Sequence, residues 1–235
     1  MKAAVAVPAQ ESTRPDLFEH WWLRHGDWVE APNIRRGGES GVQFLQAENG
    51  GLLYAKRQTG HLYRSLRHPF GYPTAMRERD ALLACAGLGV TVPRVVYAGC
   101  RRQAGAWQAL LVTESLDEYR CLEERYAAGE ATVWGEPLHL RILQEVGATL
   151  GRLNRGRWQH GCLYLKHVFV RLRDGGVEVA LLDLEKSRRR LSAKQAARHD
   201  LRQLKRRSSW NEEQWQAVVY GYRTAYGSAL EGLQL

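Results

Sequence analysis

The chain has 235 residues, with 34 lysines and arginines against 25 aspartates and glutamates, so its formal net charge is +9. This length suits one large domain or two small lobes, and a hydrophobic fraction of 44% excludes a largely disordered chain. Its apolar runs are far shorter than the roughly 20 residues of a membrane-spanning helix, so the sequence predicts no transmembrane segment.

The N-terminal part of the chain is predicted to form a sheet. Residues 42–47 are a candidate strand, and Asn49-Gly50-Gly51 predicts a hairpin turn because Asn-Gly accepts positive φ. In the strand that follows, Leu52, Tyr54 and Lys56 share one face. A lysine on that face either extends to water at the end of the strand or has a specific partner, and the pattern alone leaves both open.

A helix is predicted over residues 73–86, because proline stands at its start and Gly87 follows its end. Glu78 lies four residues before Leu82 and therefore on the apolar face of this helix. A carboxylate on a buried face needs a cationic partner, and Lys56 is the candidate. The alternative is a solvated Glu78 at the edge of the apolar face.

The middle of the chain marks a boundary between two lobes. Two strands are predicted over 95–97 and 107–112, a polar segment follows at 113–117, and beyond it helical patterns dominate. The predicted organisation is one domain with an N-terminal extension, an N-lobe and a C-lobe, which cover residues 1–33, 34–113 and 114–235.

The C-terminal half combines helices with one hairpin. The clearest helix covers residues 138–153, with apolar residues at steps of three and four and with His139 off that face. An irregular loop at 160–167 and a predicted hairpin at 168–181 lead to Asp183. An acid at the end of a hairpin is a frequent metal ligand, although a solvated aspartate is the commoner case for such a residue taken alone.

In chain order these features match the parts needed for phosphoryl transfer in a protein-kinase-like fold. They are a glycine-containing turn, a strand lysine, an inward helix glutamate, a loop that begins with histidine, and an acid after a hairpin. The lysine neutralises phosphates, the glutamate holds the lysine and the acid holds Mg²⁺. Cations do most of this work because the transition state spreads negative charge over the phosphate oxygens.

Two local strings, the octet His160–His167 and the run Asp183–Arg190, resemble the Kdo/WaaP lipopolysaccharide kinase family, and within it the InaA branch. Family features also occur at 56–60, 87–93 and 199–201, and the resemblance covers about 34–226. It implies an α+β, two-lobed protein-kinase-like fold, in which a small antiparallel-sheet N-lobe with one helix sits above a mainly helical C-lobe. ATP would bind between the lobes.

The resemblance also implies a role for each residue at a family position. Lys56 would hold the ATP phosphates and Glu78 would pair with it, while His167 and Asp183 would chelate Mg²⁺. The implied catalytic positions are Lys56, Glu78, Cys162 and Asp183. The implied nucleotide-binding positions are Gly37, Gly38, Lys56, Glu114, Ser115 and Leu116, the last three through their backbone at the adenine.

One position departs from the family pattern. The family carries an aspartate two residues after the leading histidine of the octet, and this chain has Cys162 there. That aspartate would accept the proton of the substrate hydroxyl, whereas an ordinary thiol is protonated at neutral pH and is a poor base. A thiolate beside His160 or Lys166 is the alternative. The implied function is an ATP-dependent phosphotransferase acting on a sugar of the lipopolysaccharide core or another small acceptor; the competing reading is a pseudokinase, a nucleotide-binding regulatory module.

The charge and the cysteines bear on partners and compartment. The first residues lack the apolar run of a secretory signal, and the four cysteines form no Cys-x-x-Cys motif, so reduced thiols in the cytoplasm are predicted. With ATP as one partner, the positive charge favours an anionic sugar or glycolipid acceptor and allows peripheral contact with the inner membrane. The run 188–190, which follows Asp183, is expected at the mouth of the site. Nucleic acid is disfavoured because no recognition motif for it is present.

Overall fold

The computed structural model describes residues 16–35, 38–173 and 175–227, which form a sheet-containing lobe and a mainly helical lobe. The helices are α1 (Leu17–Trp22), α2 (Thr74–Gly87), α3 (Leu122–Ala127), α4 (Glu130–Arg155), α5 (Ala193–Arg207) and α6 (Glu212–Tyr226). The strands are β1 (Asn33–Arg35), β2 (Gly38–Gln46), β3 (Leu52–Thr59), β4 (Leu62–Tyr63), β5 (Tyr72–Pro73), β6 (Val95–Gln103), β7 (Ala106–Glu114), β8 (Arg120–Cys121), β9 (Trp158–Gln159), β10 (Val168–Arg173), β11 (Gly176–Leu181) and β12 (Arg188–Arg189).

The N-lobe is built on an antiparallel sheet with the strand order β1-β2-β3-β7-β6. Strand alternation in β3 sends Leu53 and Ala55 to one face and Lys56 to the other. The Lys56 face carries α2, because the buried side-chain amide of Gln58 bonds both to the Thr74 hydroxyl (2.8 Å) and to the N–H of Ala75 (2.8 Å) at the start of that helix. The sheet therefore fixes α2 directly over Lys56.

A second helix, α1, belongs to the stretch predicted as the N-terminal extension and packs on the face of the sheet opposite α2. Phe18 of α1 is buried there, and the Trp21 ring stacks on Tyr97 with 5.7 Å between centroids. The Arg57 guanidinium fastens the end of α1 by donating to the carbonyls of Trp22 and Arg24. A helix of six residues is too short to show helical periodicity in the sequence.

The C-lobe is centred on the contact between α4 and α6. A Cβ added to Gly221 would lie 1.9 Å from the carbonyl oxygen of Gln144, so only glycine allows the two backbones to come this close. His139 of α4 was expected off the apolar face, but it is buried and hydrogen-bonds the Tyr126 hydroxyl at 2.8 Å. The reason is that α3 and Trp134 cover the side of α4 that the apolar pattern leaves open. Within the described residues, no helix is long and apolar enough to cross a membrane.

One buried carboxylate ties the loop after α4 to α5. Asp200 of α5 is fully buried and accepts hydrogen bonds from the N–H of His160 (2.8 Å), the N–H of Gly161 (3.2 Å) and the side-chain amide of Asn154 (2.8 Å). Because an ionised carboxylate only accepts hydrogen bonds, it matches these three donors. The backbone of the octet that begins at His160 is therefore held from α5.

Replacing Asp200 with asparagine is expected to lower the free energy of unfolding by about 1.5–3 kcal/mol, because an amide substitutes a donor for one of the accepting oxygens. Urea unfolding of Asp200→Asn measures this change. The control is Asp80→Asn on the exposed side of α2, where we expect a change within about 0.5 kcal/mol. Equal stability of the two variants would contradict the bracing role of Asp200.

Candidate active site

Lys56 lies between two carboxylates that come from different lobes. Its Nζ is 2.6 Å from Glu78 Oε2 on α2 and 2.7 Å from Glu185 Oε2, in a short 3₁₀ turn at Leu184–Lys186 that follows Asp183. The pair between Lys56 and Glu78 was predicted from the sequence, and the structure places the two side chains in contact. Glu185 was not predicted, although an acid two residues after a candidate metal ligand is a signal that was present.

The electrostatics of this cluster follow from its geometry. Burial by itself would lower the pKa of Lys56, but the carboxylates of Glu78 and Glu185 outweigh it and raise that pKa above its ordinary value. Burial raises the pKa of Glu78, and Lys56 offsets only part of this effect. For Glu185 burial acts in the same direction, yet Lys56, together with His61 and Arg77, outweighs it and the pKa of Glu185 is lowered. The ammonium is therefore firmly charged, with more negative than positive partners around it.

Three metal-ligating side chains meet beside this cluster. One ligand atom each from Cys162, His167 and Asp183 lies within 4.8 Å of the other two. His167 Nδ1 is 2.7 Å from the carbonyl oxygen of Cys162, which fixes the proton on Nδ1 and leaves Nε2 free to bind a cation. His167 Nε2 is 3.4 Å from Asp183 Oδ2. The sequence named all three residues, and the structure brings them together.

The backbone supports a special role for Asp183. Its φ of 57° and ψ of 58° lie in the left-handed region, which residues other than glycine rarely adopt. Strained backbone conformations of this kind cluster at active sites and ligand-binding sites, where a side chain is held in one orientation. One carboxylate together with nucleotide phosphates and water is the usual environment of Mg²⁺, so Asp183 fits that ion. An imidazole and a thiol are softer donors than Mg²⁺ prefers, so the carboxylate of Asp183 is the ligand of this set that fits that ion best.

A cation lies near the Cys162 sulfur, but it is neither His160 nor Lys166, the two residues that the sequence suggested. Lys186 Nζ lies 3.9 Å from the Sγ atom, whereas the Lys166 ammonium lies over the Tyr164 ring. His160 contacts the backbone rather than the thiol, since its Nδ1 lies 3.4 Å from the N–H of Cys162. Burial also lowers the pKa of His160, which keeps this imidazole neutral.

The segment implied to contact adenine, residues 114–116, lies at the end of β7, and two of its three backbone N–H groups are hydrogen-bonded within the protein. The N–H of Glu114 bonds the carbonyl of Arg94 (2.9 Å), and the N–H of Ser115 bonds the carbonyl of Leu52 (2.9 Å). The Glu114 side chain pairs with Arg94 at the surface. The N–H groups of Glu114 and Ser115 are therefore used within the fold. Of the three implied positions, this leaves Leu116 as the candidate backbone donor to adenine.

Of the two glycines implied to bind the phosphates, Gly38 is the first residue of β2 and pairs with Arg35 of β1. Gly37 is outside the described residues. A Cβ on Gly38 would lie 2.6 Å from the backbone of Gly60, so packing against the end of β3 is sufficient to require glycine there.

Comparison with known proteins identifies relatives across most of the chain. Residues 19–222 match the family model described as the lipopolysaccharide kinase (Kdo/WaaP) family. Protein InaA of Escherichia coli (strain K12) is 41% identical over 195 residues, which are 83% of this chain and 89% of the relative. A solved structure of WaaP in complex with acyl carrier protein superposes with a TM-score of 0.65 at 18% identity, covering 88% of this chain and 82% of that chain.

The structural likeness to WaaP confirms the predicted two-lobed, kinase-like α+β fold. The match to the family model over residues 19–222 and the identity to InaA confirm the resemblance carried by the octet and by the run after Asp183. The chain belongs to the lipopolysaccharide kinase (Kdo/WaaP) family.

Proposed function

We propose that this protein is an ATP-dependent phosphotransferase that acts on a hydroxyl of an anionic sugar, in the lipopolysaccharide core or in another small acceptor. The observation that carries the proposal is the contact of Lys56 with Glu78 and Glu185 next to Asp183. It sets a firmly charged ammonium beside a candidate metal carboxylate, and phosphoryl transfer needs both. Membership of the lipopolysaccharide kinase family supports the same reaction class.

The side chains divide the work as follows. Lys56 binds the nucleotide phosphates and Glu78 keeps its ammonium oriented, while the N–H of Leu116 faces the adenine. Gly37 and Gly38 are proposed to approach the phosphates. His167 and Asp183 would hold Mg²⁺, which supplies positive charge against the phosphate oxygens when bound. Glu185 has to leave Lys56 when phosphates arrive, because two anions compete for one ammonium.

Nucleotide binding gives the first test. Mg·ATP at about 100 times its Kd should stabilise the wild-type protein by about 2.7 kcal/mol, measured as a thermal shift. Lys56→Ala should lose most of this shift, and Glu185→Gln should bind Mg·ATP more tightly because the competing carboxylate is neutralised. Lys205→Ala, at the exposed end of α5, is the control and should behave as wild type. Weaker binding by Glu185→Gln would contradict the proposed competition.

The second candidate function is a pseudokinase that binds nucleotide for regulation. The observation that favours it is Cys162, which stands where the family carries its base and has the Lys186 ammonium near its sulfur. The two functions share the nucleotide site and differ in whether a phosphoryl group moves. Binding alone therefore cannot separate them, and a turnover measurement is needed.

Release of ADP from Mg·ATP separates the two functions. A positioned base contributes roughly 10²–10⁴-fold to rate, so Cys162→Asp should raise turnover strongly if the missing carboxylate limits the reaction. Cys162→Ser is the matched variant without a carboxylate and should not rise. Turnover that is absent in wild type and gained in Cys162→Asp identifies a pseudokinase. Turnover in wild type that Asp183→Asn leaves unchanged would overturn the metal assignment.

The proposed setting is the cytoplasm, with peripheral contact at the inner membrane where a glycolipid acceptor would be exposed. The support for this setting is the excess of basic over acidic residues in the sequence. Nucleic acid remains disfavoured as a partner.

A further inference from the structure

A large basic cavity lies beside the octet, between α5 and the segment that leads out of the candidate active site. Its volume is about 1080 Å³, and β12, the turn after α4 and one face of α5 line it. Six arginines contribute to the lining, and none of the lining residues within the described ranges is acidic. They are Arg157, Arg189, Arg190, Arg198, Arg202 and Arg206.

The basic residues of α5 repeat in register with the helix. Lys194, Arg198, Arg202 and Arg206 follow one another at four-residue steps and so project from one face. Like charges at this spacing destabilise a helix, and the first turn of α5 contains no acidic residue to match the helix dipole. Helix stability therefore does not account for the arginines at this spacing, whereas an external anion would.

The arginines of the cavity are not neutralised by the fold. Across the part of the chain that the structure describes, Arg157, Arg198 and Arg202 have no carboxylate within ion-pair distance. Arg157 also adopts a φ of 66°, and its carbonyl accepts a 2.7 Å hydrogen bond from the N–H of Arg190 on the opposite wall. A strained turn that carries arginine rather than glycine indicates that the side chain itself is required there.

The wall of the cavity is joined directly to the loop that carries Cys162. The side-chain carbonyl of Gln203, which lines the cavity, accepts a hydrogen bond from the N–H of Leu163. On the same helix, Asp200 holds the N–H groups of His160 and Gly161. A ligand in the cavity is thus held by the same element that positions the candidate site.

We propose that this cavity is an anion subsite that binds a sugar carrying two or more phosphate groups and presents its hydroxyl to the candidate active site. Guanidinium groups bind phosphates through paired hydrogen bonds, which matches the predominance of arginine over lysine. The volume exceeds that of an ordinary small-molecule site. Among the described residues Leu191 is the one aliphatic side chain of the lining, which argues against an acyl chain inside. The presentation of the hydroxyl rests on the proposed phosphotransferase function, whereas the binding of the phosphates does not.

Calorimetric titration of the full chain with glucose bisphosphate tests the subsite. Replacing Arg198 and Arg202 together with glutamine should weaken binding by at least about tenfold, because hydrogen bonds to charged groups are lost. The matched control replaces Arg64 and Arg67, two exposed arginines of the N-lobe, with glutamine and removes the same charge. The control should bind within about twofold of wild type, since Arg64 and Arg67 do not line the cavity.

Two further probes define the ligand. Inorganic phosphate should bind much more weakly than glucose bisphosphate. Phosphatidylcholine vesicles that carry phosphatidylinositol bisphosphate present a phosphorylated ring polyol on a membrane. Tighter binding to these vesicles than to the soluble sugar, lost with Arg198 and Arg202, assigns the site to a membrane-anchored glycolipid, and the reverse order assigns it to a free phosphorylated sugar.

Three results would overturn the proposal: no binding of either phosphorylated probe, equal loss in the control, or tighter binding of a DNA oligonucleotide that displaces glucose bisphosphate. The Mg·ATP thermal shift of the Arg198 and Arg202 double variant separates this proposal from the function above. A retained shift with lost sugar binding places the effect in the subsite alone. An absent shift in wild type contradicts the proposed function and leaves the subsite result standing.

Discussion

The contact between Lys56 and its two carboxylates is the interaction on which the arrangement of the site depends. Lys56 comes from the sheet, Glu78 from the helix above it and Glu185 from the other lobe, so a single ammonium joins three elements. Removing charges from water is costly, and such a cluster is stable only when its geometry is good. Distances of 2.6 and 2.7 Å meet that condition.

Two carboxylates share the ammonium of Lys56, and Glu185 Oε1 also lies 3.6 Å from His61 Nε2. A phosphate chain could enter only by displacing one of the anions. Glu78 is held by α2, which the buried Gln58 amide fixes to β3, whereas Glu185 lies in a short turn after the strained Asp183. The two carboxylates are therefore not equivalent: one belongs to the support of Lys56, and the other occupies the position that nucleotide phosphates would take.

The net charge of +9 is distributed unevenly, with an acidic region around Lys56 and a basic region along α5. Glu78, Asp183 and Glu185 make the region around Lys56 acidic, as a site for cations requires. Arginines line the cavity along one face of α5, and the buried Asp200 of the same helix holds the backbone of the octet. This separation matches a reaction that brings a metal-bound nucleotide and an anionic acceptor to the same loop from different directions.

Some of this was readable from the sequence and some was not. Lys56 and Glu78 were predicted because strand alternation and helical spacing are local patterns that fix the face of each residue. Glu185 was missed because its partner lies 129 residues away, and only the packing of the lobes brings them together.

The other differences have equally physical causes. α1 is too short to carry a periodic signal, and its place is set by aromatic packing on the sheet. The burial of His139 was not predicted, because α3 covers a face of α4 on which the sequence shows no apolar pattern. By contrast, the four-residue repeat from Lys194 to Arg206 was visible in the sequence, but only the structure shows that it faces a cavity.

The most direct measurement is a crystal structure of the protein with Mg²⁺ and a non-hydrolysable ATP analogue. The account predicts that Lys56 Nζ keeps its contact with Glu78, releases Glu185 and binds phosphate oxygens, with the metal at Asp183. A nucleotide bound elsewhere, with the contact between Lys56 and Glu185 intact, would contradict it.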